Sequence, residues 1–182
     1  LAEAPANPRV RSIPEWLEFA EAFDRSVAAE LWLEVDRFER EGMLHGTVEA
    51  STRPVLDRLW AAGLTLAVLT NNSLASAEAA LARFELRAPF AMVLARTLVP
   101  ALKPDGAGVA LAHKRLGGEP VVVVGDSYID GLAAQRADVG ARYVAFRADL
   151  ADLAARGVSW WASIEDLASL PDLLLPGGAA AP

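Results

Sequence analysis

The sequence contains no cysteine, which excludes a disulfide framework, a thiolate metal site and a thiol nucleophile. No apolar stretch approaches the ~20 residues needed to cross a bilayer as a helix. Residues 1–14 hold Pro, Asn and Arg but no apolar core of the kind a secretory leader carries. Basic excess is missing too. The net charge is -7, which argues against nucleic acid as the main partner. Lysine is nearly absent, Lys103 and Lys114 standing against 15 arginines. Apolar residues make up 53% and charged residues 23% of the 182, which suits a folded domain with a real core. These features fit a cytoplasmic protein without a membrane partner, as monomer or homodimer. The chain opens on Leu1 and not on Met, and reads as a piece of a longer protein.

Hydrophobic spacing divides the chain. Residues 1–13 read as a linker. Trp16, Phe19, Ala20, Phe23, Val27, Leu31, Val35 and Phe38 recur at three and four, predicting a helical hairpin or bent helix over 14–41, ended by Gly42. Residues 14–45 form one unit and 46–175 another, with a tail at 176–182. In the second unit helices alternate with short apolar strands. The strands are expected at 64–69, 91–95, 121–124 and 142–146, with an edge strand at 159–162 and a last helix from Ile164. Four consecutive valines at 121–124 predict a strand covered on both faces. The alternation predicts an α/β, Rossmann-like, doubly wound parallel sheet, whose ligands bind beyond the carboxyl ends of the strands.

Three segments fall at those ends. In Gly125-Asp126-Ser127-Tyr128-Ile129-Asp130, one helical turn separates two carboxylates, an arrangement that suits Mg2+. It equally suits a helix cap with an acid answering the dipole. Thr70-Asn71-Asn72-Ser73 offers a hydroxyl and free N–H groups to a phosphate, or is an ordinary turn. Lys103, before Pro104, lies in a loop on the same side, where an ammonium could neutralise phosphate charge and steady the carboxylates. Lys114 reads as a solvated helix residue.

Taken in order, strand–Thr70-Asn-Asn-Ser73, Lys103-Pro104-Asp105 and strand–Gly125-Asp-Ser-Tyr-Ile-Asp130 resemble the second, third and fourth motifs of the haloacid dehalogenase superfamily, in its capped, phosphoglycolate phosphatase-like subgroup. The resemblance covers about residues 47–172. It implies Thr70, Asn71 and Lys103 as phosphate-binding residues, and Thr70 and Lys103 as catalytic ones. Asp126 and Asp130 are then the direct and outer carboxylates of a Mg2+ ion, and the substrate is a small phosphorylated metabolite. Segment 14–45 would be the helical cap, with Trp16, Phe19 or Trp32 near a substrate pocket.

The family's first motif, Asp-x-Asp, carries the nucleophile that forms an aspartyl-phosphate. No such motif occurs in the sequence. Leu1-Ala2-Glu3-Ala4-Pro5 fits the segment that follows it, so the expectation is an inactive form cut just after the motif. The alternative is a non-catalytic binding protein on a degenerate version of the fold. In the family the first strand lies centrally. Strands 64–69 and 121–124 should therefore either stand apart by a strand's place or close into direct pairing.

Overall fold

The structure is a computed structural model of the chain and describes residue 22 and residues 24–175. The expected linker, the residues Trp16 and Phe19 and the tail lie outside the described residues.

Helix α1 (Arg25–His45) starts where the Asp24 carboxylate accepts the Ser26 N–H at 2.8 Å, satisfying one of the unpaired donors of a first turn. Gly42 was expected to end this helix, but it runs three residues further. The Gly46 N–H donates to the Gly42 carbonyl at 2.7 Å, so the last turn closes over the glycine at a cost of only ~1 kcal/mol relative to alanine. Helix α2 (Thr52–Ala61) has Ser51, not Thr52, at its cap, and Gly63 at φ +88° turns the chain out of it.

The remaining elements alternate: β1 (Leu66–Leu69), α3 (Leu74–Arg83), β2 (Phe90–Leu94), α4 (Ala107–Arg115), β3 (Val122–Gly125), α5 (Tyr128–Arg136), β4 (Arg142–Phe146), α6 (Leu150–Ala155), β5 (Ala162–Ile164) and α7 (Leu170–Leu174). The last strand lies three residues beyond its expected place, and the final helix starts six beyond. Ile164 belongs to β5, where it pairs with Phe146 and is buried, because sheet pairing and burial outweigh its helical spacing.

All strand pairs are parallel, and they form two sheets, β1-β2 and β3-β4-β5. Helices cover both faces of the second sheet. Val144 of β4 points to one side, into a core with Val55, Leu59, Ile164 and Leu170 from α2, β5 and α7. Its neighbours Tyr143 and Ala145 point to the other, against Ala134, Leu153 and Val158. This is the period-two alternation of a strand buried on both faces, as a doubly wound fold requires.

Among these strands β1 and β3 are not hydrogen-bonded to each other, and burial differs around them. β4, paired on both sides, has residues at 0–2% exposure, and Leu94 of β2 is at 1%. Every residue of β1 is only half-buried, and Val124 of β3 is 36% exposed. The expectation that the valine run is covered on both sides therefore fails. Among the described residues, no strand adjoins β3 on the side away from β4. Helix α4 joins the two sheets, since Val109 packs with Ala133 and Ala137 against both Leu69 and Val123. Gly108 comes so close to Leu69 that a β-carbon would stand 2.8 Å from its Cδ1. None of the described helices is long and apolar enough to cross a membrane.

Candidate active site

Thr70 continues β1 by one residue, its N–H donating to the Leu94 carbonyl at 2.9 Å. Its Oγ1 accepts the Asn72 N–H at 3.1 Å. That bond uses a lone pair and leaves the hydroxyl proton free to donate elsewhere. The turn is stiffened by Ser73, whose side chain caps α3 by accepting the Ser76 N–H at 3.2 Å.

Asn71 does something the sequence did not disclose. Its amide Nδ2 donates to the Lys103 carbonyl at 2.8 Å, and its Oδ1 accepts the Lys103 N–H at 3.0 Å. This two-bond clasp fixes the Lys103 backbone beside the turn, across 32 residues of sequence. The Lys103–Pro104 peptide bond is cis. From that anchor the Lys103 ammonium reaches two groups, donating to the Leu69 carbonyl at 3.1 Å and to Asp130 Oδ1 at 2.6 Å. The pair is well shielded, with the two side chains 16% and 10% exposed.

Asp130 gives its second oxygen to Ser127, whose hydroxyl donates to Oδ2 at 2.9 Å. Room for this carboxylate comes from Gly125, where a β-carbon would lie 2.5 Å from Asp130 Cβ, Cγ and Oδ2. Asp126, by contrast, stays exposed at the strand end. Thus Lys103 and Asp130 meet in one ion pair at the carboxyl end of the sheets, with Asn71 clasped to the lysine's backbone. Thr70 adjoins the Leu69 carbonyl that receives the lysine, and Asp126 follows β3. Lys114 is exposed on α4, as expected.

Two contributors escaped the sequence reading. Tyr143 of β4 is 2% exposed, and its hydroxyl lies 2.9 Å from the Gly125 carbonyl and 3.0 Å from that of Ser127. One phenolic proton serves both acceptors and holds the Gly125–Ser127 turn. Burial pushes this phenol well above its ordinary pKa, reinforced by the negative charges of Asp130 and Asp126. A tyrosine inside an apolar strand gives no sequence signal of such a role. Arg96 lies two residues past β2 and is tied to Asp36 and Glu39 of α1; applying the strand-end rule to β2 would have singled it out.

The donor chemistry at Asp126 and Asp130 fits a magnesium ion in part. Mg2+ keeps several waters and takes one or two carboxylates. Asp126 is open to serve directly, and Asp130, engaged by Lys103 and Ser127, suits an outer position. Among the described residues no three acidic or histidine side chains gather into a complete cage. A cleft of about 230 Å³ lined by Trp60, Leu64 and Phe90 lies at the amino ends of β1 and β2, away from all these groups.

Comparison with known proteins agrees with the geometry. Residues 8–138 match the family described as haloacid dehalogenase-like hydrolase. A phosphoglycolate phosphatase of Caulobacter vibrioides is 39% identical over 94 residues, covering 50% of this chain and 40% of that protein. An (S)-2-haloacid dehalogenase of Pseudomonas putida is 33% identical over 96 residues, covering 52% and 42%. The chain thus matches less than half the length of these curated relatives. Among solved structures, a subfamily IA hydrolase of the superfamily from Geobacter sulfurreducens superposes with a TM-score of 0.66 at 26% identity, covering 93% of this chain and 83% of that one. A hydrolase from Pseudomonas syringae reaches 0.72 at 19% identity, with 90% and 83% covered, a likeness of fold. With a family match across 131 residues that takes in the Thr70, Lys103 and Asp126–Asp130 segments, this chain belongs to the haloacid dehalogenase-like hydrolases.

Proposed function

We propose that the protein of which this chain is part hydrolyses a small phosphate monoester with the help of Mg2+, through an aspartyl-phosphate. The observation that carries the reading is the Lys103 ammonium, held between the Leu69 carbonyl and Asp130 at 3.1 and 2.6 Å. A cation fixed there, beside a threonine hydroxyl with a proton to give, is an arrangement suited to the charge of a transferring phosphoryl group. In this reading Thr70 donates its proton to a phosphate oxygen, and the Asn71 backbone N–H orients the group. Lys103 neutralises charge and holds Asp130 in place. Asp126 and Asp130 would hold a magnesium ion, Asp126 as the direct and Asp130 as the outer carboxylate. The ion supplies further charge neutralisation and alignment of the phosphate. Support for phosphate chemistry over dehalogenation comes from the exposed Asp126, since the dehalogenase reaction of this family uses no metal.

The nucleophile has no candidate in the sequence, which holds no Asp-x-Asp. We propose that it enters on a strand seated between β1 and β3. The half-buried residues of β1 and the 36% exposure of Val124 support a place there for one more strand. The same missing motif favours a second reading, a binding protein without turnover.

One experiment separates them. The 182-residue chain alone should not turn over para-nitrophenyl phosphate. The chain extended by a strand bearing Asp-x-Asp should do so with Mg2+. In that extended protein Asp126→Asn should lose most activity and Lys114→Ala almost none. Turnover by the chain alone would overturn the strand proposal. An extended, folded protein without activity on a panel of phosphate monoesters would favour the binding reading.

A further inference from the structure

The carboxyl end of β2 carries a second charged cluster that the reaction proposed above does not use. The Arg96 side chain is 11% exposed and Glu39 9%. Arg96 Nη1 donates to Glu39 Oε1 at 2.9 Å and to the Asn71 carbonyl at 3.3 Å. Its Nη2 donates to Asp36 Oδ1, and the guanidinium carbon stands 4.2 Å over the Trp32 ring. The other Glu39 oxygen, Oε2, accepts the Ser73 N–H at 2.9 Å, while the Arg96 N–H donates to the Asn72 carbonyl at 3.0 Å. Trp32, Asp36 and Glu39 are spaced at four and three, one face of α1. That whole face converges on one arginine and on the turn that follows Thr70.

Among the described apolar residues of α1 only Ala28 is buried, at 2% exposure. Val27, Leu31, Leu33, Phe38 and Leu44 of this helix are all exposed, between 38% and 69%. A planar guanidinium can bond two carboxylates and a carbonyl at once while stacking on an indole. A lysine ammonium, a point charge without that fork, cannot.

We infer that Arg96 is a positioning residue that docks α1 onto the carboxyl end of the sheets, and that Glu39 passes the position of the helix to the Asn71–Ser73 turn. Helix and turn then move as one unit. Displacing α1 removes the acceptor of the Ser73 N–H and strips Arg96, which donates to the Asn71 carbonyl, of its carboxylate partners. The Asn71 side chain clasps Lys103, so the coupling extends to the lysine. The docking rests on these contacts alone; only its effect on turnover depends on the phosphatase reading.

Amide hydrogen exchange of the 182-residue chain tests it without any activity. Arg96→Met should speed exchange at Ser73 and across residues 32–45 at least about tenfold, while the buried β4 amides near Val144, which report global opening, keep their rate. Arg96→Lys should fall between Met and wild type. Glu39→Ala should deprotect Ser73, and Glu39→Gln, which keeps a carbonyl acceptor, should restore most of that protection. The Glu39 pair also serves if Arg96→Met fails to fold. Equal acceleration at Ser73 and Val144 would mean general destabilisation and would overturn the inference. So would an unchanged Ser73 rate in Arg96→Met or Glu39→Ala. Absence of phosphatase activity in the unsubstituted extended protein, with exchange as predicted here, would leave the docking standing and sink only the reaction.

Discussion

Replacing Lys103 by methionine leaves the stem and removes the charge. Two bonds go with it, one to the Leu69 carbonyl and one to Asp130. The carboxylate then sits 10% exposed, with the Ser127 hydroxyl still donating to it. Breaking a fully buried ion pair from one side costs ~3–5 kcal/mol, because the survivor is left uncompensated. The residual exposure of both partners and the Ser127 bond reduce this, and about 2–4 kcal/mol is expected. Replacing both partners by apolar groups of similar volume is often near neutral. Lys103→Met with Asp130→Leu should therefore recover at least half of the loss. Urea denaturation followed by tryptophan fluorescence gives the four stabilities of the cycle. The exposed pair Arg53–Asp57, with both side chains 48% exposed, serves as the control and should cost less than about 1 kcal/mol when broken. Additive losses at positions 103 and 130, or a Lys103→Met cost no larger than that of the control, would refute the buried-pair reasoning.

Two further outcomes follow from the Gly125–Ser127 turn. Tyr143 binds its proton more tightly in the folded chain than in the unfolded one, whose phenol releases it near pH ~10. Stability should therefore be unaffected by this group below about pH 10 and fall as pH rises beyond it. In a Tyr128→Phe background, phenolate absorbance should appear only as the fold is lost, and Tyr143→Phe should flatten the alkaline fall of the melting temperature; a fall of the same steepness in that variant would count against the assignment. Gly125→Ala should displace Asp130, since three of its atoms lie 2.5 Å from the new carbon. Overpacking of this kind costs ~1–3 kcal/mol, and the Lys103 ammonium resonance should shift as its partner moves. An unshifted resonance with unchanged stability would show that the turn absorbs the methyl group.

The legible parts of the sequence were those governed by short-range rules. The apolar runs of β1 to β4 follow from spacing, and the order of Thr70, Lys103 and Asp126 follows from the strand-end rule. The misses arose where a distant partner decides. Ile164 is a strand residue because Phe146 is across from it. Gly42 does not end α1, since its carbonyl finds the Gly46 N–H. Asn71, read as a phosphate contact, spends its side-chain amide on the backbone of Lys103, 32 residues away, so its backbone N–H is the better candidate for the anion. Four valines in a row promised cover on both faces. Cover depends on which strands adjoin, and that is a property of the sheet.

The way the two sheets are joined complicates any test of the chemistry. Helix α4 ties the sheets together in their middle through Leu69 and Val123, and the Lys103–Asp130 pair, with its bond to the Leu69 carbonyl, ties them at the carboxyl end. Lys103 therefore serves the fold and the proposed reaction at once. Lost activity in a Lys103 variant of a strand-extended protein would not say which role had failed. Asp126 has no such ambiguity. Its carboxylate is exposed at the end of β3, and replacing an exposed acid by its amide typically changes stability by less than about 0.5 kcal/mol. Asp126→Asn should thus melt with the parent in the absence of magnesium, yet lose the rise in melting temperature that a bound ion gives the parent through mass action. A ratio of ion to dissociation constant near 100 corresponds to ~2.7 kcal/mol, well above the error of a thermal melt. An Asp126→Asn protein stabilised by Mg2+ as strongly as the parent would move the metal away from β3, and with it the division of labour between Asp126 and Asp130.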